Sequence, residues 1–197
     1  WGKKSKLKRD LPAAQAVLQQ MKDRIRSMAL LHEALYRTGN FARVDLAAYL
    51  RQVASQLFRA QNAEPGLVQL VFELAPAEVE IDQAIPCGLI VNELLTNALK
   101  HAFPRGARGE VRVGLLRTAD GHVRIEVSDT GVGLAVDYLV KSTQSLGMRL
   151  MSDLTRQLEG TLDVSSGGPG ASFSVVFTPK AGASLSPGAA TKGIETS

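Results

Sequence analysis

Two short runs of strict alternation limit the folds open to this chain. In EVRVGLL (110–116) Val111, Val113 and Leu115 share one face, and in HVRIEVSD (122–129) Val123, Ile125 and Val127 do. Successive side chains on a strand point to opposite faces, so each run has one face that must leave water and one that need not. TADG between them is turn chemistry, and the pair is predicted to form an antiparallel hairpin. A sheet that is apolar on one face needs a covering layer on that face, and helices are the usual one.

The remaining segments supply more strands and that layer. LVQLVFEL (67–74) and the shorter EVEID (78–82) read as strands, and GTLDVSS (160–166) with ASFSVVF (171–177) as a last hairpin around GGPG. One helix is predicted after Asp45, a good N-cap, through LAAYLRQVASQLFRAQ. A second runs from near Gln83 to Phe103, and a third from Leu146 to Leu158 with Met151, Leu154 and Leu158 on one side. NAEPG and PRGARG are loops, and Thr130 to Ser145 is a weakly patterned loop or lid. Ahead of these, Ala14, Leu18, Met21, Ile25, Met28, His32 and Leu35 form a heptad seam on a helix that TGN (38–40) ends. Val17 and Leu31 widen the seam, which favours a bundle.

The expected fold is α+β: a two-layer α/β sandwich with helices on one side of a mixed, mostly antiparallel sheet, preceded by a helical segment. The expected units are a basic tail (1–10), a helical hairpin (11–62), an α/β domain (63–179) and a disordered Gly/Ala/Ser-rich tail (180–197). The net charge of +4 resides in KKSKLKRD; without it 18 basic and 18 acidic residues remain, so the body is neutral and no nucleic-acid partner is expected. No run is long and apolar enough for a membrane span, so any membrane link is expected only through a longer parent protein. The single cysteine, Cys87, lies among apolar residues, reads as core, and fits a reducing, cytoplasmic compartment.

VNELLTNALKHAF (91–103) carries a stripe too polar for an ordinary core helix. At ~100° per residue Glu93, Asn97, Lys100 and His101 share one sector, while Val91, Leu94, Leu95, Ala98 and Ala102 cover the sheet-facing side. An amide oxygen and a carboxylate four residues apart can share a hard cation such as Mg²⁺, with water and phosphate oxygens as its other ligands. Lys100 can neutralise phosphate.

Two further motifs bear on the stripe. EVSDTGVGL puts Asp129 at a strand end, where it can accept a hydrogen bond from an exocyclic amine such as adenine N6, with Gly131 and Gly133 allowing close backbone approach. SLGMRLMSDL places Ser145, Leu146 and Gly147 before a helix whose N-terminal N–H groups can cradle phosphate. Val136 stands where a dinucleotide fingerprint needs its third glycine, and no P-loop is present.

In this order and spacing the three motifs resemble the N, G1 and G2 boxes of the GHKL ATPases, the group of gyrase, Hsp90, MutL and the histidine kinases. RIRSMALLHEALY, VNELLTNALKHAF, SDTGVGL and SLGMRLMSDLTRQLEG look most like bacterial sensor histidine kinases, over roughly Leu11 to Phe177. The resemblance implies the Bergerat ATP-binding fold behind a partial dimerisation and phosphotransfer region. It implies Asn97 and Glu93 as Mg²⁺-holding and catalytic residues. It also implies contacts to ATP or ADP from Asn97, Lys100, His101, Asp129, Gly131, Gly133, Leu134, Leu146, Gly147 and Met148, and a lid over the triphosphate.

The implied activity is that of an ATP-dependent protein histidine kinase, which passes the γ-phosphate to a histidine for relay to a response-regulator aspartate. A homodimer through the N-terminal helices is a further implied partnership. The chain departs from the family pattern twice. Ala171 stands where many members have a threonine near adenine, so that hydroxyl is missing unless Ser172 supplies it. Of the three histidines, His101 belongs to the stripe, His122 to a turn and His32 to the seam, so the phosphoacceptor is expected on a helix outside this chain. The alternatives are an anti-sigma-factor-like serine kinase and a nucleotide-binding scaffold without transferase activity.

Overall fold

The computed structural model describes residues 43–61, 66–134, 146–166 and 169–180, and before them only the helical positions Leu18, Met21, Lys22, Ile25 and Ala29. Most of the heptad helix, His32, the chain from 135 to 145 and the tail from 181 onward lie outside the described residues.

Seven strands and three α-helices are described: β1 (Arg43–Asp45), α1 (Leu46–Gln61), β2 (Val68–Leu74), β3 (Glu78–Glu80), α2 (Ile81–His101), β4 (Gly109–Arg117), β5 (Val123–Asp129), α3 (Leu146–Gln157), β6 (Thr161–Ser165) and β7 (Ser172–Phe177). Five strands form one sheet in the order β2-β4-β5-β7-β6. Its only parallel pair among the described residues is β2–β4, with Val68 opposite Gly109; the other three pairs are antiparallel. The alternating runs form the expected hairpin, Val113 opposite Val127 and Leu115 opposite Ile125.

Strand parity then sorts the sheet into two faces. Val111, Val113, Leu115, Val123, Ile125, Val127, Phe173 and Val175 are buried on the face that the helices cover. The other face is polar: Arg112 bridges Glu73 and Glu110, and Ser172 donates to Glu126 Oε1 at 2.8 Å. Met151 and Leu154 of α3, with Leu158 just past its end, join the core along the expected side.

β1 was not legible in the alternation. It is three residues long and pairs antiparallel with β3, Val44 opposite Val79. Asp45 both ends β1 and caps α1, since the Ala48 N–H donates to Asp45 Oδ1 at 3.0 Å. EVEID contributes only Glu78–Glu80 to a strand, because α2 starts at Ile81, two residues before the expected Gln83. α1 buries Leu46, Tyr49, Leu50, Val53, Ala54 and Leu57 in the same core as the sheet. Cys87 is fully buried, and burial pushes its thiol well above the usual range, which suits a core residue and not a nucleophile.

Candidate functional site

α2 is the spine of the site. It is almost wholly buried from Gln83 to Thr96, whereas Asn97 is half-buried and Lys100 and His101 are exposed. The apolar residues Val91, Leu94, Leu95, Ala98 and Ala102 are all buried, as the wheel predicts. Glu93 is only 6% exposed and Asn92 7%, so the polar stripe begins inside the protein and runs outward. A buried carboxylate is costly unless other groups compensate it, and Glu93 does have partners in this structure.

The start of α3 meets this stripe. A Cβ built on Gly147 would lie 2.5 Å from Glu93 Oε1 and 3.9 Å from Asn97 Nδ2. Any side chain at 147 would therefore occupy the space of the Glu93 carboxylate. Met148 is half-buried beside it; of Leu146 only its place as the first residue of α3 is described.

The Asp129 loop docks on the other end of the same helix. The Val132 N–H donates to the Ala102 carbonyl at 2.9 Å, and a Cβ on Gly131 would overlap that carbonyl. Asp129 keeps the turn closed by accepting from the Gly131 N–H at 2.9 Å. Thr130 ties the loop to β4, its N–H donating to the Glu110 carbonyl and its Oγ1 accepting from the Glu110 N–H. Burial raises the Asp129 pKa from its ordinary value, opposed by the N–H groups of Gly131 and Ala171. With four lone-pair directions the carboxylate keeps capacity to accept from a ligand amine.

Of the expected residues, Glu93 and Gly147 thus lie against each other with Asn97 one turn further along α2, while Asp129, Gly131 and Gly133 form a loop stitched to the residue after His101. Leu134, half-buried, packs against the core beyond that loop. Ser172 does not replace the missing threonine hydroxyl. It pairs with Ser128 on the polar face, opposite the face that Asp129 and Ala171 share.

Two residues not foreseen complete the loop. Ser166 Oγ accepts from the Leu134 N–H at 3.1 Å, and Gly170 (φ +100°) lies so close to the Asp129 carbonyl that a Cβ there would overlap it. SSGGPG reads along the sequence as a hairpin turn, and nothing local signals that it closes on residues 129–134.

Comparison with known proteins decides the family. Residues 82–182 match the family described as histidine kinase-, DNA gyrase B-, and HSP90-like ATPase, just over half the chain. The chain belongs to that ATPase family. A second family model, described as histidine kinase, matches residues 5–61. Together they make this a histidine-kinase-type ATPase domain preceded by histidine kinase sequence.

Blue-light-activated histidine kinase 2 of Erythrobacter litoralis is 30% identical over 151 residues, 75% of this chain and 43% of that protein. Sensor histidine kinase PdtaS of Mycolicibacterium smegmatis is 30% identical over 166 residues, 79% of this chain and 32% of that protein. The chain therefore spans less than half the length of these curated relatives. The solved histidine kinase domain of the Erythrobacter litoralis EL346 blue-light-activated kinase superposes with a TM-score of 0.73 at 27% identity, covering 81% of this chain and 75% of that one.

Proposed function

We propose that this chain is the catalytic region of a sensor histidine kinase, which binds Mg²⁺-ATP between α2, the Asp129 loop and the start of α3. The observation that carries the reading is the convergence on α2. A Cβ on Gly147 would meet Glu93 and one on Gly131 would meet Ala102, so the second and third motifs both lie against α2, which carries the first.

In this reading Asp129 accepts from the adenine amine, and Gly131 and Gly133 let the backbone lie under the ring. Lys100 and His101, exposed at the last turn of α2, face the phosphates together with the N-terminal turn of α3 (Leu146, Gly147 and Met148). Glu93 orients the attacking nucleophile or a water. Leu134 lines the route to the lid. Catalysis of this kind is chiefly positioning and charge neutralisation around an in-line phosphoryl transfer.

The donor set at the head of the stripe fits Mg²⁺. Glu93 and Asn97 offer hard oxygen ligands one turn apart, and among the described residues no group of three His, Cys, Asp or Glu could hold a metal. Two protein donors suit an ion that keeps several waters and takes phosphate oxygens. Bound there, it would neutralise charge on the transferring phosphate.

The γ-phosphate then passes to a histidine and on to a response-regulator aspartate. The N-terminal helices pair in a homodimer, and the region works in the cytoplasm. Among the described residues no helix is long and apolar enough to cross a membrane. The ATP-binding unit is placed at 63–179 behind a helical hairpin (11–62), and α1 of that hairpin contributes six buried residues to the same core. Incubation of the full-length protein with γ-labelled ATP tests the reading. Acid-labile phosphohistidine is the expected product; acid-stable phosphoserine on a partner, or no transfer, would overturn it.

A further inference from the structure

We propose that Ser166 is a positioning residue for nucleotide binding: its hydroxyl closes a ring of contacts that sets the Asp129 carboxylate relative to the end of its loop. The inference rests on Asp129 reading the base. The ring is built as follows. Asp129 accepts from the Gly131 N–H at 2.9 Å, and the chain continues through Gly133 (φ +74°) to Leu134. The Leu134 N–H donates to Ser166 Oγ at 3.1 Å, and the same hydroxyl donates to the Gly170 carbonyl at 3.3 Å. Gly170 lies directly on the Asp129 backbone, and the next residue, Ala171, accepts from the Asp129 N–H at 2.9 Å.

Only a hydroxyl can serve this position with one atom, because it must accept and donate at once. A carboxylate has no proton to give Gly170, and an alanine leaves both backbone groups to water. Asp129 is also held through its backbone by Ala171, and its loop by Glu110 of β4 and the Ala102 end of α2. Ser166 adds the restraint from the β6–β7 turn. A Cβ on Gly133 would lie 3.2 Å from Ser166 Oγ, so the hydroxyl also sets the path of the glycine expected beneath the base. The effect on nucleotide is through Asp129 and Gly133; Ser166 itself need not touch ligand.

The test is isothermal calorimetry of ATP with Mg²⁺ on the wild-type chain and on Ser166→Ala, Ser166→Thr and Asp129→Ala, with apo melting curves alongside. Ser166→Ala is expected to raise Kd about five-fold, the equivalent of one net hydrogen bond. The number of sites per chain and the apo melting temperature should hold, and Ser166→Thr should restore Kd. A merely structural role would instead lower the melting temperature or the number of sites and leave Kd alone. That result, or an unchanged Kd in Ser166→Ala while Asp129→Ala binds weakly, overturns the inference. An unchanged Kd in Asp129→Ala overturns the site reading beneath it.

Discussion

Adding one methyl group at Gly147 should separate fold from chemistry. The Cβ of Gly147→Ala would start 2.5 Å from Glu93 Oε1 and 3.5 Å from Glu93 Cδ. An ordinary carbon–oxygen approach is about 3.3 Å, so the carboxylate must retreat by roughly 0.8 Å. The obstacle is the end of a side chain and not backbone, so it can yield. Replacing glycine by alanine inside a helix also contributes about 0.5–1 kcal/mol, which offsets part of the ~1–3 kcal/mol cost of overpacking. Stability should therefore fall by no more than about 2.5 kcal/mol. Activity should suffer far more, since a misplacement of about 1 Å can cost ~100-fold. The assay is initial-rate transfer of labelled γ-phosphate at saturating ATP, with a thermal melt of the same sample. A large rate loss with a nearly unchanged melt is expected. An unchanged rate would refute Glu93 as a catalytic residue set by the start of α3.

Three more outcomes follow from the same contacts. Because folding raises the Asp129 pKa, the folded chain holds that proton more tightly, and the stability it confers is lost as pH rises through the folded value. Asp129→Asn should thus melt at or above wild type at neutral pH, with the gap closing toward acid. ATP affinity in Asp129→Asn should fall at least about ten-fold, and wild-type affinity should weaken as pH drops through that same raised value; an Asp129→Asn protein that binds ATP normally would contradict the assignment. Gly131→Ala faces backbone, the Ala102 carbonyl, so it should lose about 1–3 kcal/mol in a denaturant titration as well as ATP binding. Leu50→Ala, at a fully buried α1 position, should lose about 2–5 kcal/mol, and a chain starting at residue 63 should fail to melt cooperatively where one starting at 43 succeeds.

The parts legible in the sequence are those where a local period decides burial. Val111 to Leu115 and Val123 to Val127 could face only one way, and the α2 wheel separates Leu94 and Leu95 from Asn97 and Lys100 because 3.6 residues per turn leave no other choice. What escaped has no period to read. β1 is too short to alternate, and its identity as a strand comes from β3 lying beside it. α1 reads as half of a helical hairpin; that its apolar face packs on α2 is a pairing its own sequence does not specify. Ser166 and Gly170 sit in a turn whose composition signals only a reversal of direction; their closeness to Leu134 and Asp129 arises from strand order. Ser172 was the reverse case. Alternation from Phe173 already implied the polar face, and its bond to Glu126 follows from that parity.

The proposed site is a single pocket shared by the Asn97 end of α2 and the Asp129 loop. Calorimetric titration of the chain with ATP, with and without Mg²⁺, tests it most directly when repeated on Asn97→Ala and Asp129→Ala. Mg²⁺-assisted binding at one site per chain is expected, with the Mg²⁺ dependence lost in the first variant and affinity lost in the second. Binding that ignores Mg²⁺ and survives both substitutions would contradict it.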